Sequence, residues 1–254
     1  TGAWENPYLT MNFHAERVIA EEFMTFLMTG TLYQGSKPVM WSPVEKTALA
    51  EAEIEYHEHK SYTIWVPFAF QTDKSNLADD LATARVVIWT TTPWTIPSNK
   101  AVAYNPKISY GLYQIHETED ESWTNPGDLY LFADALAEEC LSKSRVTGFS
   151  RLRTVSGDEL AVAVCTHPLA ALDDFWSYNV PMIDGDHVTE EAGTGFVHTA
   201  PSHGADDYDC FVQRGWIDRM THNVGEASEF LPHVPFFAGL EVFDRKGKEG
   251  KANT

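Results

Sequence analysis

Positive charge is scarce in this chain: 18 lysines and arginines stand against 37 aspartates and glutamates, and the formal net charge is −19. Proteins that hold nucleic acid through its phosphates normally show a basic footprint, and an acidic surface repels such a partner at long range. We therefore expect the chain not to bind a nucleic acid tightly by itself. A partner protein would suit this charge equally well.

Long apolar runs and paired cysteines are also missing. No run approaches the ~20 residues that span a bilayer, and residues 1–5 have neither the basic nor the apolar segment of a signal peptide. Position 1 is not Met, so we expect a fragment of a longer protein. The three cysteines, Cys140, Cys165 and Cys210, match neither a metal spacing nor a complete set of disulfides. These absences predict a cytoplasmic protein with no membrane partner.

Apolar periodicity predicts an α+β domain. Amphipathic helices are expected over residues 11–30, 133–142 and 205–214. The polar stretch 71–82 is predicted to be a loop. Many short strands with a few peripheral helices favour a mixed, barrel-like β-sheet. Runs of β-branched and aromatic residues predict these strands at residues 39–41, 62–70, 86–89, 101–104, 108–115, 129–132, 146–155, 160–164, 180–183 and 196–197.

A dense chemical motif follows the strand at 86–89. Threonines occupy positions 90–92, directly after Trp89, and Pro93 and Pro97 are expected to stop both the strand ladder and any helix. Threonine has a restricted χ1 angle, and its hydroxyl both donates and accepts. This strand end can therefore direct several oxygens into one small pocket. An edge strand closed by a turn is the simpler alternative.

A second motif covers residues 193–208. Gly193 and Gly195 permit unusual dihedrals or a close backbone approach before a short strand. The helix that follows is expected to take Ser202 as its N-cap and to bury Tyr208, Phe211 and Val212.

Three side-chain types in the second motif could carry chemistry. His198 ends the strand, where a hydrogen-bonded core histidine is the simpler interpretation. Asp206 and Asp207 lie in the first turn of the helix, where carboxylates favour the helix dipole. The functional alternative is that one carboxylate holds a substrate ammonium. A third possibility is a metal site built on His198, His203 and Asp207.

The two motifs together, WTTTPWTIPSN at 89–99 and HTAPSHGADDY at 198–208, resemble the editing domain of isoleucyl-tRNA synthetases. ENPYLTMNF near the start and ALAEAEIEY in the middle extend the resemblance over most of the chain. The valyl and leucyl enzymes carry Arg where Thr92 stands and an acidic residue where Trp94 stands. The resemblance is therefore specific to the isoleucyl branch.

This resemblance implies the fold and the division of the chain. The fold would be that of the synthetase editing domain, with a mixed, barrel-like β-sheet. Residues 1–60 would form a connector at the root of the insertion, 61–243 the editing core, and 244–254 a polar connector tail.

The function that the resemblance implies is hydrolysis of the ester in misacylated valyl-tRNA(Ile), with valyl-adenylate as a second substrate. By alignment with the family motif, Asp207 would hold the α-ammonium. The side-chain pocket would be formed by Trp89, Thr90 and His198, with His198 excluding isoleucine. A threonine hydroxyl is too weak a base to deprotonate water, so the remaining threonines would position the attacking water: Thr91, Thr92 and Thr95.

Cofactors and partners follow from the same resemblance. Many members carry a zinc half-site where Ser42-Pro43-Val44-Glu45 stands here, and these residues are poor zinc ligands. The His-x-Gly-His and Lys-Met-Ser-Lys-Ser signatures are missing. We expect no metal and no cofactor here, with ATP and magnesium needed only in the full-length synthetase.

The expected partners are the 3′ end of misacylated tRNA(Ile) and the rest of the synthetase chain, and we expect a monomer. Two alternatives remain. A non-catalytic binding module fits the acidity, and a metal-dependent hydrolase fits the two histidines of the second motif.

Overall fold

The computed structural model describes residues 2–71, 77–244 and 246–253. Two compact units, Thr1–Lys37 and Pro38–Thr254, make up the chain. The division at residues 60 and 243 stays a prediction. The helices are α1 (Phe13–Met28), α2 (Ala137–Lys143), α3 (Gly157–Ala161) and α4 (Ala205–Gln213). The strands are β1 (Trp41–Ser42), β2 (Thr47–Ala48), β3 (Ile64–Ala69), β4 (Arg85–Thr90), β5 (Ala101–Tyr104), β6 (Tyr110–Thr118), β7 (Leu129–Ala133), β8 (Val146–Val155), β9 (Val164–Thr166), β10 (Asn179–Asp184) and β11 (Val197–Thr199).

Helix α1 forms the first unit and confirms the helix predicted at 11–30. Its N-cap Asn12 accepts a hydrogen bond from the backbone N–H of His14, which satisfies one of the free amides at a helix start. Gly30, with a φ of +74°, follows the helix end. In the structure as described, no helix of either unit is long and apolar enough to cross a membrane.

Two mixed sheets form most of the second unit, beside a small antiparallel pair of β1 with β2, which confirms the predicted α+β class. One sheet has the order β3-β4-β7-β6-β8 and the other the order β11-β5-β10-β9. Each contains one parallel pair, β4 with β7 and β10 with β5. A bridge between Phe70 and Cys165 joins the edges at β3 and β9. The barrel-like form thus arises from two open sheets.

The main core fixes strand β4, which leads to the first motif. Val86 and Ile88 are fully buried, as expected for a continuous apolar run. Trp89 lies opposite Trp65 of β3 in the antiparallel register. In the other sheet, His198 of β11 lies opposite Val102 of β5.

The predicted strand at 160–164 is wrong. Residues 157–161 form α3, and the strand begins only at Val164. The Ser156 hydroxyl accepts from the N–H of Glu159, while the Glu159 carboxylate accepts from the N–H of Ser156. This reciprocal cap starts a helix, and it was overlooked because Ser156-Gly157-Asp158 also has the composition of a turn.

The prolines do not exclude a helix after β4. A 3-10 helix runs over Pro93–Ser98, since proline at a helix start gives up no hydrogen bond. The helix predicted at 133–142 begins only at Ala137, because Ala133 still belongs to β7 and donates its N–H to Thr194 O. Of the predicted loop at 71–82, residues 72–76 lie outside the described residues.

Helix α4 agrees with its predicted bounds and in part with its predicted contacts. Its N-cap is Gly204, because the Ser202 hydroxyl instead donates to Thr221 O. Phe211 is buried and Tyr208 half-buried, whereas Val212 is exposed and Cys210 takes its place on the buried face.

Candidate functional site

A cleft of about 280 Å³ lies where the end of β4, the 3-10 helix, the end of β11 and the start of α4 meet. Thr91 is exposed and is not one of its lining residues. The cleft otherwise brings together the residues predicted from the two motifs. It is lined by Trp89, Thr90, Thr92, Trp94, Thr95, Val197, His198, Ala200, His203, Gly204 and Asp207.

The imidazole of His198 is held at both nitrogens. The Asn99 amide nitrogen lies 2.8 Å from Ala101 O and 2.7 Å from His198 Nδ1. An amide nitrogen only donates, so Nδ1 accepts and the proton of the neutral ring lies on Nε2. Nε2 is 2.8 Å from Thr95 Oγ1, and the Thr95 hydroxyl donates to Thr92 O at 2.8 Å. The four residues therefore form one directional chain of hydrogen bonds.

Burial keeps His198 neutral. Burial, with smaller contributions from the nearby His167 and His203, lowers the pKa of the ring to about 3. Because the pKa lies far below neutral pH and Nδ1 already accepts from Asn99, the ring has no free nitrogen on which to take up a proton and is poorly suited to general base catalysis. His198 is therefore a hydrogen-bonded core histidine, as the simpler interpretation predicts, and it also forms part of the cleft wall.

Asp207 presents a desolvated carboxylate to the cleft. Its Oδ2 accepts the backbone N–H of Ala200 at 2.8 Å. No lysine, arginine or histidine of the described residues forms an ion pair with it. Burial raises the pKa of this carboxyl, and the Ala200 N–H opposes the shift. A cation entering the cleft would relieve the cost of burying the charge.

The neighbouring Asp206 is exposed and does not line the cleft. Its position in the first turn of α4 suits the helix dipole. Gly204 lies against Asp207: a Cβ at position 204 would be 2.6 Å from Asp207 Oδ2 and 2.8 Å from its Cγ. The absence of a side chain at 204 therefore leaves the space that the carboxylate occupies.

The 3-10 helix that carries Thr95 is anchored through its carbonyls. His167 Nε2 donates to Ile96 O at 3.0 Å, because His167 Nδ1 already accepts from Leu169 N. The Tyr178 hydroxyl donates to Asn99 O, and Pro97 O accepts from two further donors. The two donors at Pro97 are Trp176 Nε1 and Asn223 Nδ2. This anchoring preorganises the cleft wall.

The glycines before β11 have the geometry expected from the sequence. Gly193 and Gly195 have φ values of +85° and +83°, which favour glycine. A Cβ at Gly195 would also collide with Ala133.

Several residues of the site were not identified from the sequence. Asn99 and Trp94 stand inside the first motif, but nothing in their spacing shows that one orients a histidine and the other forms a wall. Trp94 meets His203 edge to face at 4.9 Å between ring centroids. Burial lowers the pKa of His203 to about 4, and its Nε2 lies 3.2 Å from the Ser98 hydroxyl.

The donor sets considered for a metal do not converge. In the described part of the chain, no three His, Cys, Asp or Glu side chains form a group that could hold a metal ion. The Ser42 hydroxyl donates to the Glu45 carboxylate, so these residues satisfy each other. The expectation that the chain needs no metal stays a prediction.

Known proteins provide an independent comparison. The profile of the family described as tRNA synthetases class I (I, L, M and V) matches residues 1–226. The isoleucine–tRNA ligase of Bradyrhizobium diazoefficiens is 46% identical over 259 residues, 99% of this chain and 26% of the relative. That of Brucella abortus is 50% identical over 265 residues, 99% of this chain and 27% of the relative. The chain thus spans about a quarter of the curated relatives it matches.

Solved structures are more distant. The Plasmodium falciparum cytosolic leucyl-tRNA synthetase editing domain is 14% identical, with a TM-score of 0.41, over 56% of this chain and 51% of that one. The P. knowlesi domain is 11% identical, with a TM-score of 0.43, over 68% of this chain and 71% of that one. Scores of this size do not establish a common fold. The sequence matches confirm the predicted resemblance, and the chain belongs to the class I tRNA synthetases of the isoleucine, leucine, methionine and valine group.

Proposed function

We propose that this chain is the editing site of an isoleucyl-tRNA synthetase, and that it hydrolyses the ester of valyl-tRNA(Ile). Valyl-adenylate is a second substrate of the same cleft. The observation that carries the proposal is the Asp207 carboxylate, which lines the cleft with no ion pair to a described lysine, arginine or histidine and has a pKa raised by burial. The α-ammonium of an aminoacyl ester supplies the missing positive charge.

The cleft wall that contains His198 sets the size limit. His198 is fixed through Asn99 and Thr95, so it cannot turn away to admit a larger side chain. Trp89 and Thr90 complete the small pocket. One methylene is worth only about 1–3 kcal/mol to a binding pocket, a general limit for which the isoleucine–valine pair is the usual illustration. A second pocket that excludes the larger side chain overcomes this limit.

The attacking water is positioned by hydroxyl and backbone groups at the strand end. The Thr92 hydroxyl has one partner at 3.2 Å, the Thr90 hydroxyl, and retains capacity for a water molecule. Thr95 lines the cleft, but its proton is used on Thr92 O, so it orients His198. Thr91 lies outside the cleft lining. It contributes through its backbone, by setting the bend between β4 and the 3-10 helix.

The partners are the 3′ end of misacylated tRNA(Ile) and the remainder of a synthetase chain. The acidic surface keeps the chain's own affinity for tRNA low, so the remainder of the synthetase must deliver the 3′ end. We expect no metal ion to take part, because His198 has both nitrogens engaged and the set of His198, His203 and Asp207 therefore lacks one ligand.

The test is a deacylation assay with matched substrates. Purified synthetase containing this chain is incubated with valyl-tRNA(Ile) and, separately, with isoleucyl-tRNA(Ile). We expect release of valine at a rate far above spontaneous hydrolysis, while isoleucine stays attached. Binding of valyl-tRNA(Ile) without release of valine would contradict the proposal and leave a binding module.

A further inference from the structure

Three tryptophans form a row that leads away from the cleft. Trp89 lines the cleft, and Trp65 lies directly opposite it on β3, with ring centroids 6.3 Å apart. Trp123 follows at 5.6 Å from Trp65, with the two ring planes tilted by 33°. The row therefore connects the wall of the cleft with the protein surface.

The outer ring is exposed on an ordered loop. Trp123 has 63% of its surface accessible, so the core does not account for its position. The neighbouring Ser122 hydroxyl donates to Ser144 O at 2.6 Å and accepts from the N–H of Thr124. An aromatic ring held on a fixed backbone loses little conformational entropy when it binds a flat partner.

A cation lies beside the same row. Lys143 Nζ is 5.7 Å from the centre of the Trp65 ring, within the range of a cation–π contact. Lys143 also pairs with Glu139. The Glu139 carboxylate offsets this charge, and the residues before Trp123 include Glu119, Asp120 and Glu121, so the row offers aromatic faces rather than an excess of positive charge.

We propose that Trp123, supported by Trp65, is a stacking platform for the unpaired bases that precede the aminoacylated terminal nucleotide. This inference rests on the proposed function, which puts the aminoacyl group of that nucleotide in the cleft that Trp89 lines. Every base has a π-face, so stacking on an aromatic ring tolerates any sequence, and it supplies affinity that does not come from phosphate contacts. The platform therefore explains how an acidic domain guides a single-stranded nucleic acid.

The first test compares two substrates in the full-length synthetase that contains this chain. One is valyl-tRNA(Ile), and the other is the valyl ester of adenosine, which has no preceding bases. Trp123→Ala should lower kcat/KM for the tRNA by roughly 5- to 150-fold more than for the adenosine ester. Trp123→Phe, which keeps a ring, should restore most of the loss. The matched control is Phe236→Ala, because Phe236 is 68% exposed and lies outside the row.

The outcomes separate the two proposals. If the wild type hydrolyses neither ester, the proposed function fails. If the wild type is active and Trp123→Ala lowers both substrates equally, or neither, the platform is refuted. A second measurement does not need hydrolysis: 2-aminopurine replaces the base before the terminal adenosine of uncharged tRNA. The wild type should quench its fluorescence and Trp123→Ala should not. No quenching by the wild type overturns the platform and leaves Trp123 as a contact for the rest of the synthetase.

Discussion

Thr95 and His198 are joined by a hydrogen bond of 2.8 Å between Oγ1 and Nε2, which links the two motifs through residues 103 positions apart in the sequence. Because Nδ1 of the same ring accepts from Asn99, the bond fixes both the tautomer and the orientation of the imidazole. The ring is thereby a rigid wall, and the proposed selectivity depends on that rigidity.

Removal of the wall should admit the larger substrate. We expect the full-length enzyme with His198→Ala to hydrolyse isoleucyl-tRNA(Ile), with hydrolysis of valyl-tRNA(Ile) largely retained, because steric overlap is lost and no proton carrier is removed. The measurement is the ratio of the two deacylation rates. If both rates instead fell by ~10²–10⁴-fold at an unchanged ratio, His198 would be a general base or a purely structural residue.

The hydroxyl of Thr95 should matter for the ring's position. Thr95→Val leaves the His198 Nε2–H without an acceptor in a buried site, which costs about 1–3 kcal/mol of unfolding free energy. Thr95→Ser keeps the hydroxyl and serves as the matched control. Urea unfolding of both variants measures the cost, and the valyl-to-isoleucyl rate ratio should fall only in Thr95→Val. Equal behaviour of the two variants would show that the hydroxyl does not hold the ring.

Acid should destabilise the second unit below about pH 6.5. Burial lowers the pKa of His198 to about 3 and of His167 and His203 to about 4, against an ordinary value of 6.5. The unfolded state therefore takes up protons at a higher pH than the folded state. The stabilisation is fully present above pH 6.5 and is lost as the pH falls toward the pKa values of the folded state. The raised pKa of Asp207 has the opposite effect on stability, and only in the pH range in which that carboxyl titrates.

Urea unfolding at pH 6.5 and pH 5.5 measures this effect. Each histidine should contribute about 1 kcal/mol over that interval, and the three together roughly 3 kcal/mol. The variant His167→Gln should lose the contribution of one histidine, about 1 kcal/mol, from this pH dependence. The control His57→Gln, at an exposed position, should keep all of it. A stability that is flat between the two pH values would contradict burial of the three rings.

Addition of one methyl group at Gly204 should damage binding without damaging the fold. The new Cβ would lie 2.6 Å from Asp207 Oδ2, so the carboxylate must move while the backbone, with a φ of −95°, accepts alanine. We expect Gly204→Ala to raise KM for valyl-tRNA(Ile) with a nearly unchanged melting temperature. A wild-type KM would show that the position of the carboxylate is not critical.

The sequence predicted most strands, since runs such as residues 86–89 and 101–104 are apolar and β-branched. It failed at 160–164, where a local cap outweighs the β-propensity of the segment. The two motifs identified the cleft, but the role of Asn99 depends on a contact across 99 residues. Spacing alone cannot reveal such a contact, because the register of β11 against β5 creates it.

The fold, and not the sequence pattern, also decides which of the threonines face the cleft. Thr90, Thr91 and Thr92 are equivalent as a sequence pattern, yet only Thr90 and Thr92 line the cleft. The alternation of a strand end and the start of the 3-10 helix decide which side chains face it. Asp206 and Asp207 differ for a similar reason. Neighbouring residues of α4 point in different directions, so Asp207 lines the cleft while Asp206 is exposed to solvent.

The two neighbouring aspartates test most directly whether the Asp207 carboxylate binds the substrate ammonium. Deacylation of valyl-tRNA(Ile) is measured in full-length Asp207→Ala and Asp206→Ala, together with isoleucine activation. An unpaired ammonium in a partly buried site costs about 2–5 kcal/mol, so we expect Asp207→Ala to lose roughly 30- to 5,000-fold in kcat/KM. Asp206→Ala should stay near the wild type, and both variants should activate isoleucine normally. A larger loss in Asp206→Ala, or no loss in either variant, would contradict the assignment.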